Sequence, residues 1–337
     1  MKAVIQSAFG PAADVLSIQE IPEPTPGAGQ LLVDVDAVGI AKGNWLITHG
    51  LPYIARPMYG FRTPKQPLIG LQFAGVIAAL GAGVTGFNVG DAVFGSHSGT
   101  LAERIVVPTT SVVRTPDRVS AEQAAASPIS GVTALQAVRD GARVNTGQHV
   151  LVLGASGGVG SFVVQMAKAF GAIVTGVAGP ANQTLLRELG ADHVIDYSSQ
   201  DPLAGSPNYD VIIDLAGNRP VSRLRKALTP KGTLVIVGGT GGRWTMGFGR
   251  TIGAMLLAPF VKQRLVGFLA NPTQADLAVL ADLMSAGRVS PVVRRVYPID
   301  DVVDAVESAG RNSGAGTPVV RIRTTDQSRA TAETDLR

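Results

Sequence analysis

HVLVLGASGGVGSFVVQMAKAFGA, residues 149–172, is the stretch from which the rest of the chain can be read. Val150 to Leu153 form a β-branched and leucine run, Gly154, Gly157 and Gly160 punctuate a turn, and an apolar helical pattern follows. Glycines at the first, fourth and seventh positions let the chain turn sharply, admit a pyrophosphate to bare backbone, and let the helix pack closely on the strand. The free N–H groups and positive dipole end of that helix then face the anion. A plain strand-to-helix corner is the competing reading of any glycine-rich turn. Here strand and helix patterns flank the glycines on both sides, and a dinucleotide-type fold is expected. Gly154, Ala155, Ser156, Gly157, Gly158, Val159 and Gly160 form the candidate cradle. Ser156 reads as part of it rather than as a nucleophile, because the chain has no GxSxG elbow and no evident His partner.

Downstream, strand and helix patterns alternate, with strand candidates at 149–154, 172–177, 193–197, 209–217, 232–239 and 264–270. Such alternation predicts a parallel, doubly wound sheet with helices on both faces. Ligands of these sheets sit at the carboxyl ends of the strands. The lining candidates are therefore Ala178, Gly179, Tyr197, Ala216, Gly217, Gly238, Gly239, Phe268, Leu269 and Ala270, together with the cradle.

The end of the second strand bears on the kind of dinucleotide. An NAD site usually places an acid about twenty residues beyond the glycines, to accept from the ribose 2′-hydroxyl. No carboxylate occurs between Gly160 and Glu188. That favours NADP(H) over NAD(H), although no Lys or Arg stands in the turn to grip a 2′-phosphate. Asn182, Arg187 and Tyr197 are the nearest polar candidates.

Upstream, residues 1 to about 121 carry short strand patterns such as KAVIQ, QLLVDVDAVGI and AERIVVP, separated by Gly and Pro, and helices of any length are not expected. Asn44 to Lys65 gathers Trp45, His49, Tyr53, Arg56, Tyr59, Phe61, Arg62 and Lys65 without a period. These residue types fit a pocket lining and equally a surface loop anchored by its aromatics. Ser120 and Gln123 are spaced as a capping box before an alanine-rich helix, which Pro128 and Gly131 are expected to interrupt and Gly141 to close. After a helix at about 273–286, PVVRRVYP and TPVVRI return to strand patterns. The expected division is a β-rich domain over 1–121, a dinucleotide-binding domain over 122–286, a return to the first domain over 287–323, and a disordered tail over 324–337.

Composition narrows the function classes. The 337 residues are 45% hydrophobic and 16% charged, with 41 glycines and a net charge of +4, enough for two cores and too evenly mixed for a nucleic-acid surface. There is no cysteine, hence no disulfide, thiolate nucleophile or thiolate zinc site. His49, His97, His149 and His193 are not in ligand spacing, so no metal is expected. The strand-like start MKAVIQ and the lack of a long apolar run leave the cytoplasm as the default compartment, with no membrane partner expected.

Several segments resemble the medium-chain dehydrogenase/reductase superfamily in its zinc-independent, quinone oxidoreductase-like branch, and within it the reticulon-interacting-protein-like members. The resemblance rests on GVTGFNVGDAVFG (83–95), ISGVTALQAVRD (129–140), GASGGVGSFVVQMAKAFGA (154–172), LRELGADHVIDY (186–197), ALTPKGTLVIVGG (227–239), GRWTMG (242–247) and the YIARPMYGFRTPK insertion (53–65). It implies a GroES-like substrate domain, a Rossmann domain, a cleft between them holding NADPH, with Thr133 among its lining, and a homodimer formed through Rossmann edge strands.

Departures accompany the match. Zinc-dependent relatives carry a Cys near Ala41 and a His-Glu pair near Gln72, and this chain has neither. The family's Asn-Pro-x-Asp is Ala41, Lys42, Gly43, Asn44. Its phosphate-binding Ser-Thr-Arg-Asn is Gly179, Pro180, Ala181, Asn182, and its Ala-Arg-Gly-Lys is Ala315, Gly316, Thr317, Pro318. Unreplaced, such charge-assisted contacts cost on the order of 1.5–3 kcal/mol each. The expected activity is reduction of a quinone or activated C=C bond by hydride from NADPH. Tyr53 and Tyr59 are candidate proton donors and Lys42 a candidate for steadying the oxyanion, against packing and solvated roles for the same side chains. The alternatives are a non-redox cyclase or isomerase on the same fold, and a nucleotide-sensing regulatory protein.

Overall fold

The computed structural model describes residues 1–205, 209–239, 242–311 and 314–323. The predicted tail, 324–337, lies outside them. In the first part of the chain β1 (Lys2–Gln6) pairs antiparallel with β2 (Leu16–Glu20). β3 (Gln30–Gly39), β4 (Gln72–Leu80), β5 (Ala92–Ser96), β6 (Arg104–Pro108) and β7 (Val112–Arg114) form a larger antiparallel sheet. Alternation explains its inner face: Leu31, Val33 and Val35 of β3 are fully buried with Phe73, Ile77 and Val93.

β8 (His149–Leu153), β9 (Ile173–Ala178), β10 (His193–Asp196), β11 (Tyr209–Asp214), β12 (Leu228–Ile236) and β13 (Arg264–Gly267) make one parallel sheet in the order β10-β9-β8-β11-β12-β13. Numbered from β8, this is the order 3-2-1-4-5-6 of dinucleotide-binding folds, with its switch point between β8 and β11. Both faces are covered. Val150 and Val152 pack with the helices Pro128–Gln136, Gly158–Ala169 and Gln274–Ser285, whereas Leu151 and Leu153 pack with Val221–Ala227 and Phe248–Leu257. β14 (Val293–Pro298) and β15 (Thr317–Arg321) then extend the first sheet, β15 lying antiparallel to β3.

Three sequence expectations need correction. Residues 1–121 do contain a helix of two turns, Lys42–His49, started by the Asn44 side chain, whose Oδ1 accepts from the Ala41 amide at 3.1 Å. The cap lies inside the helix and its apolar positions have no clear period, so neither usual signal marks it. Gly131 does not break the helix in which it sits; it is where that helix meets Leu280, whose Cδ2 would lie 2.6 Å from an added Cβ. Finally, strands expected to reach 217, 239 and 270 end at Asp214, Ile236 and Gly267. The glycines beyond the first two turn the chain out of the sheet, Gly217 at φ +68°. The capping box at Ser120 forms as read, Ser120 Oγ accepting from the Gln123 amide.

Candidate active site

The carboxyl edge of the parallel sheet gathers the glycine-rich turns. Gly154 leaves β8 at φ +82°, and a Cβ there would lie 3.2 Å from the Ala216 amide nitrogen, so β8 and β11 nearly touch as they open. An added Cβ on Gly160 would meet the Gly154 carbonyl at 2.1 Å, which is why that position presses helix onto turn. Gly157 differs: its φ of −67° is ordinary and an added Cβ would find nothing nearer than 3.5 Å. The site therefore keeps open space over Gly157, in front of the first turn of a twelve-residue helix whose leading amides have no intrahelical acceptor. This cradle fits a pyrophosphate. Across the edge, Gly217 and Gly239 are so close that a Cβ on Gly217 would lie 2.5 Å from the Gly239 Cα.

The end of β9 carries several polar groups. The Asn182 amide donates to Gly179 O at 3.1 Å, the Tyr197 amide donates to Ala178 O at 3.3 Å, and an added Cβ on Gly179 would lie 3.2 Å from the Tyr197 hydroxyl. Gln183, which the sequence reading passed over, turns its amide back to donate to Ala178 O at 3.0 Å. Ser130, not singled out in the sequence, meets Thr317, which stands where the family motif has Gly. Their hydroxyl oxygens lie 3.4 Å apart, and a Cβ on Gly158 would meet the Thr317 hydroxyl at 2.7 Å. Beside them the Gly316 amide donates to Ser156 O at 2.9 Å, so the return segment of the first domain seats directly on the glycine turn. Only proximity in space links positions so far apart in sequence.

At the far end of the edge, Phe268 donates its amide to Ile236 O, and Leu269 projects into solvent. The loop beyond is held by Gln136. Its Nε2 donates to Asn271 O at 2.7 Å and to Asp276 Oδ2 at 2.7 Å, while its Oε1 accepts from the Asn271 amide at 3.1 Å. Burial raises the Asp276 carboxyl, but donors from Gln136, Thr273 and Arg139 outweigh it and hold the group below its ordinary range. Thr133 spends its hydroxyl on Ile129 O at 2.6 Å.

The first domain faces this edge. Gln72 is fully buried and accepts from the Ile129 amide through Oε1 at 2.8 Å, joining β4 to the start of the helix Pro128–Gln136. Leu71 lies between the His97 amide, which donates to its carbonyl, and Gly43, at which an added Cβ would lie 3.1 Å from Leu71 Cδ1. Burial lowers the pKa of Lys42, in the first turn of its helix, and also that of His97. Ala41, Leu71 and Gln72 offer no donor set for zinc, and among the described residues no three His, Cys, Asp or Glu side chains cluster as metal ligands.

The structure separates the two candidate tyrosines. Tyr53 sits edge-on to Trp244 with ring centroids 5.6 Å apart, and its amide donates to Arg243 O at 3.0 Å across the two domains. Tyr59 is half-buried at the end of a short helix, Arg56–Tyr59, and its carbonyl accepts from the Lys65 amide.

Comparison with known proteins agrees with this architecture. Residues 27–117 match the family described as alcohol dehydrogenase GroES-like domain, and residues 189–320 match zinc-binding dehydrogenase. The chain is 32% identical to the chloroplast envelope quinone oxidoreductase homolog of Arabidopsis thaliana, covering 90% of this chain and 93% of that one. It is 32% identical to the human mitochondrial NAD(P)H oxidoreductase RTN4IP1, over 75% of this chain and 70% of the relative. The solved quinone oxidoreductase of Coxiella burnetii superposes with a TM-score of 0.82 at 27% identity, covering 96% of this chain and 99% of its own.

Proposed function

The chain belongs to the quinone oxidoreductase-like branch of the medium-chain dehydrogenase/reductase superfamily, and from that premise we propose that it is an NADPH-dependent reductase of quinones or activated C=C bonds, acting in the cytoplasm without zinc. The single observation carrying this reading is the Gly157 turn at the switch point of the parallel sheet, with room above it for more than a bare backbone and the return segment of the first domain seated beside it. Relatives named as quinone oxidoreductase and NAD(P)H oxidoreductase support the redox class and a nicotinamide cofactor.

When bound, the dinucleotide supplies a hydride. The protein's share is positioning. The amides opening the helix Gly158–Ala169 would hold the pyrophosphate, and the closely packed turns of Ala216, Gly217, Gly238 and Gly239 would border the dinucleotide with backbone. Gln183, Asn182 and Tyr197 surround the adenosine end. The absence of a carboxylate at the end of β9 favours NADPH, since an acid there would repel a 2′-phosphate. On the acceptor side, Lys42 precedes Gly43 at Leu71 and His97 bonds the Leu71 carbonyl through its amide, and these two side chains are the candidates to steady charge on a substrate oxygen.

A homodimer belongs to the same proposal. β13 ends the sheet order, and Leu256, Phe260 and Leu269 are exposed beside it, the combination that favours pairing edge to edge with a second copy.

NADPH oxidation followed at 340 nm with a panel of quinones and enones, in the presence of EDTA, tests the reading. The expected result is turnover that EDTA leaves unchanged and that NADPH supports better than NADH. Saturable NADPH binding without turnover on any member of the panel would remove the reductase assignment, and turnover abolished by EDTA would remove its zinc-free form.

A further inference from the structure

A slot of about 480 Å³ is lined by Tyr53, Ile54, Arg56, Pro57, Phe61 and Trp244. Its walls come from both domains, sewn together where the Tyr53 and Ile54 amides donate to Arg243 O and Trp244 O at 3.0 and 3.3 Å. Phe61 and Trp244 are each 72% exposed. Large apolar surfaces gathered on one rim mark a binding site more often than chance exposure, and the volume is that of a drug-sized ligand pocket. The Arg56 guanidinium lies 4.7 Å from the Tyr53 ring centroid and 5.4 Å from that of Phe9, with Nε donating to Gly50 O. Lys65 reaches back to Pro57 O through Nζ. Neither 37–90 nor 215–275, the stretches that supply the slot and its surroundings, contains a single Asp or Glu, whereas Arg56, Arg62, Lys65 and Arg243 fall within them.

We infer that this slot binds the apolar arm of the acceptor, an arm that ends in an anionic group. The inference rests on the reductase reading and narrows its substrate class. Ile54, Phe61 and Trp244 take the hydrocarbon, and Arg56, the cation in the lining, meets the charge. The charge pattern selects this occupant, because a cationic arm would enter a rim with no carboxylate in its stretches and pay desolvation without a partner. The slot also adjoins the glycine turn at the end of β12, since an added Cβ on Gly239 would meet the carbonyl of Met246, two residues past Trp244, at 2.5 Å.

The experiment compares a benzoquinone bearing a carboxylate-terminated decyl arm with one bearing a methyl group, each reduced with NADPH. In the wild type kcat/KM is expected to favour the long acceptor by about tenfold, a modest return for methylenes entering an open slot. Trp244→Ala and Phe61→Ala should each bring that ratio below about threefold, and replacing the carboxylate by trimethylammonium should bring it to one or less. Independently of turnover, a brominated fatty carboxylate should quench the fluorescence of the wild type and leave Trp244→Phe, which keeps Trp45, unquenched. A long-to-short ratio near one together with no quenching overturns the slot assignment even when the enzyme turns over. Quenching that depends on Trp244 in a protein with no reductase activity upholds the slot and overturns the redox reading instead.

Discussion

Asp36, on β3, keeps its Oδ1 buried without a hydrogen-bond partner among the described residues. Burial raises its pKa above the ordinary 3.8, with Arg323 working against the shift and Asp34 and Glu122 adding to it. The folded state therefore binds the proton more tightly than the unfolded chain. Its contribution to stability is present below the unfolded pKa and is lost as pH rises from there through the folded pKa. Asp36→Asn removes that loss. The variant is expected to melt about 2 °C or more above the wild type at pH 7, with the gain shrinking toward pH 4, as scanning calorimetry at several pH values would record. An unchanged or lowered midpoint at pH 7 would contradict the account. None of this is visible in the sequence, where Asp34 and Asp36 are simply part of the strand pattern QLLVDVDAVGI. The roles of Gln72 and Gln136 were hidden for the same reason: an amide that clamps a distant loop has no local pattern. By contrast, Ser120 and Gln123 were legible, because both partners of their hydrogen bonds lie within one turn.

Among the elements, the glycine turn was readable because the constraint lies in the backbone and needs no partner from elsewhere. The structure separates what its glycines do. Gly160 is demanded by packing, since a Cβ there would meet a backbone carbonyl at 2.1 Å, whereas Gly157 is demanded only by what comes to lie over it. Gly160→Ala should thus destabilise the dinucleotide-binding domain strongly, by about 2 kcal/mol or more, and lose binding along with stability. Gly157→Ala should melt within a few degrees of the wild type yet weaken NADPH binding by at least about tenfold. Thermal melts paired with binding titrations check both, and equal effects at the two positions would show that Gly157 is merely structural. The helix Lys42–His49 stayed hidden because a side chain from within starts it. Around the helix Phe248–Leu257, Trp244, Ile252, Met255 and Leu256 are exposed, so apolar residues there do not mark a core face.

At the scale of the molecule, the strand patterns after residue 287 are expected to rejoin the first domain, and β14 and β15 pair into the sheet that holds β3. How the two parts meet was not legible. The joins are the Gly316 amide on Ser156 O, Gln72 on the Ile129 amide, and the Tyr53–Trp244 pair, each linking residues more than fifty apart in sequence. Edge pairing into a homodimer is a property of the whole molecule. Sedimentation should give about twice 34.7 kDa for the wild type, and Leu269→Asp, placing charge beside the free edge, should give the monomer. A monomeric wild type would remove the edge pairing.

The cofactor assignment is tested most directly by titrating the purified protein with NADPH while following nicotinamide fluorescence. The account predicts saturable binding below millimolar concentration, tighter than NADH and weakened at least about tenfold in Gly157→Ala. No saturation at millimolar NADPH in a protein with an intact thermal transition would contradict it.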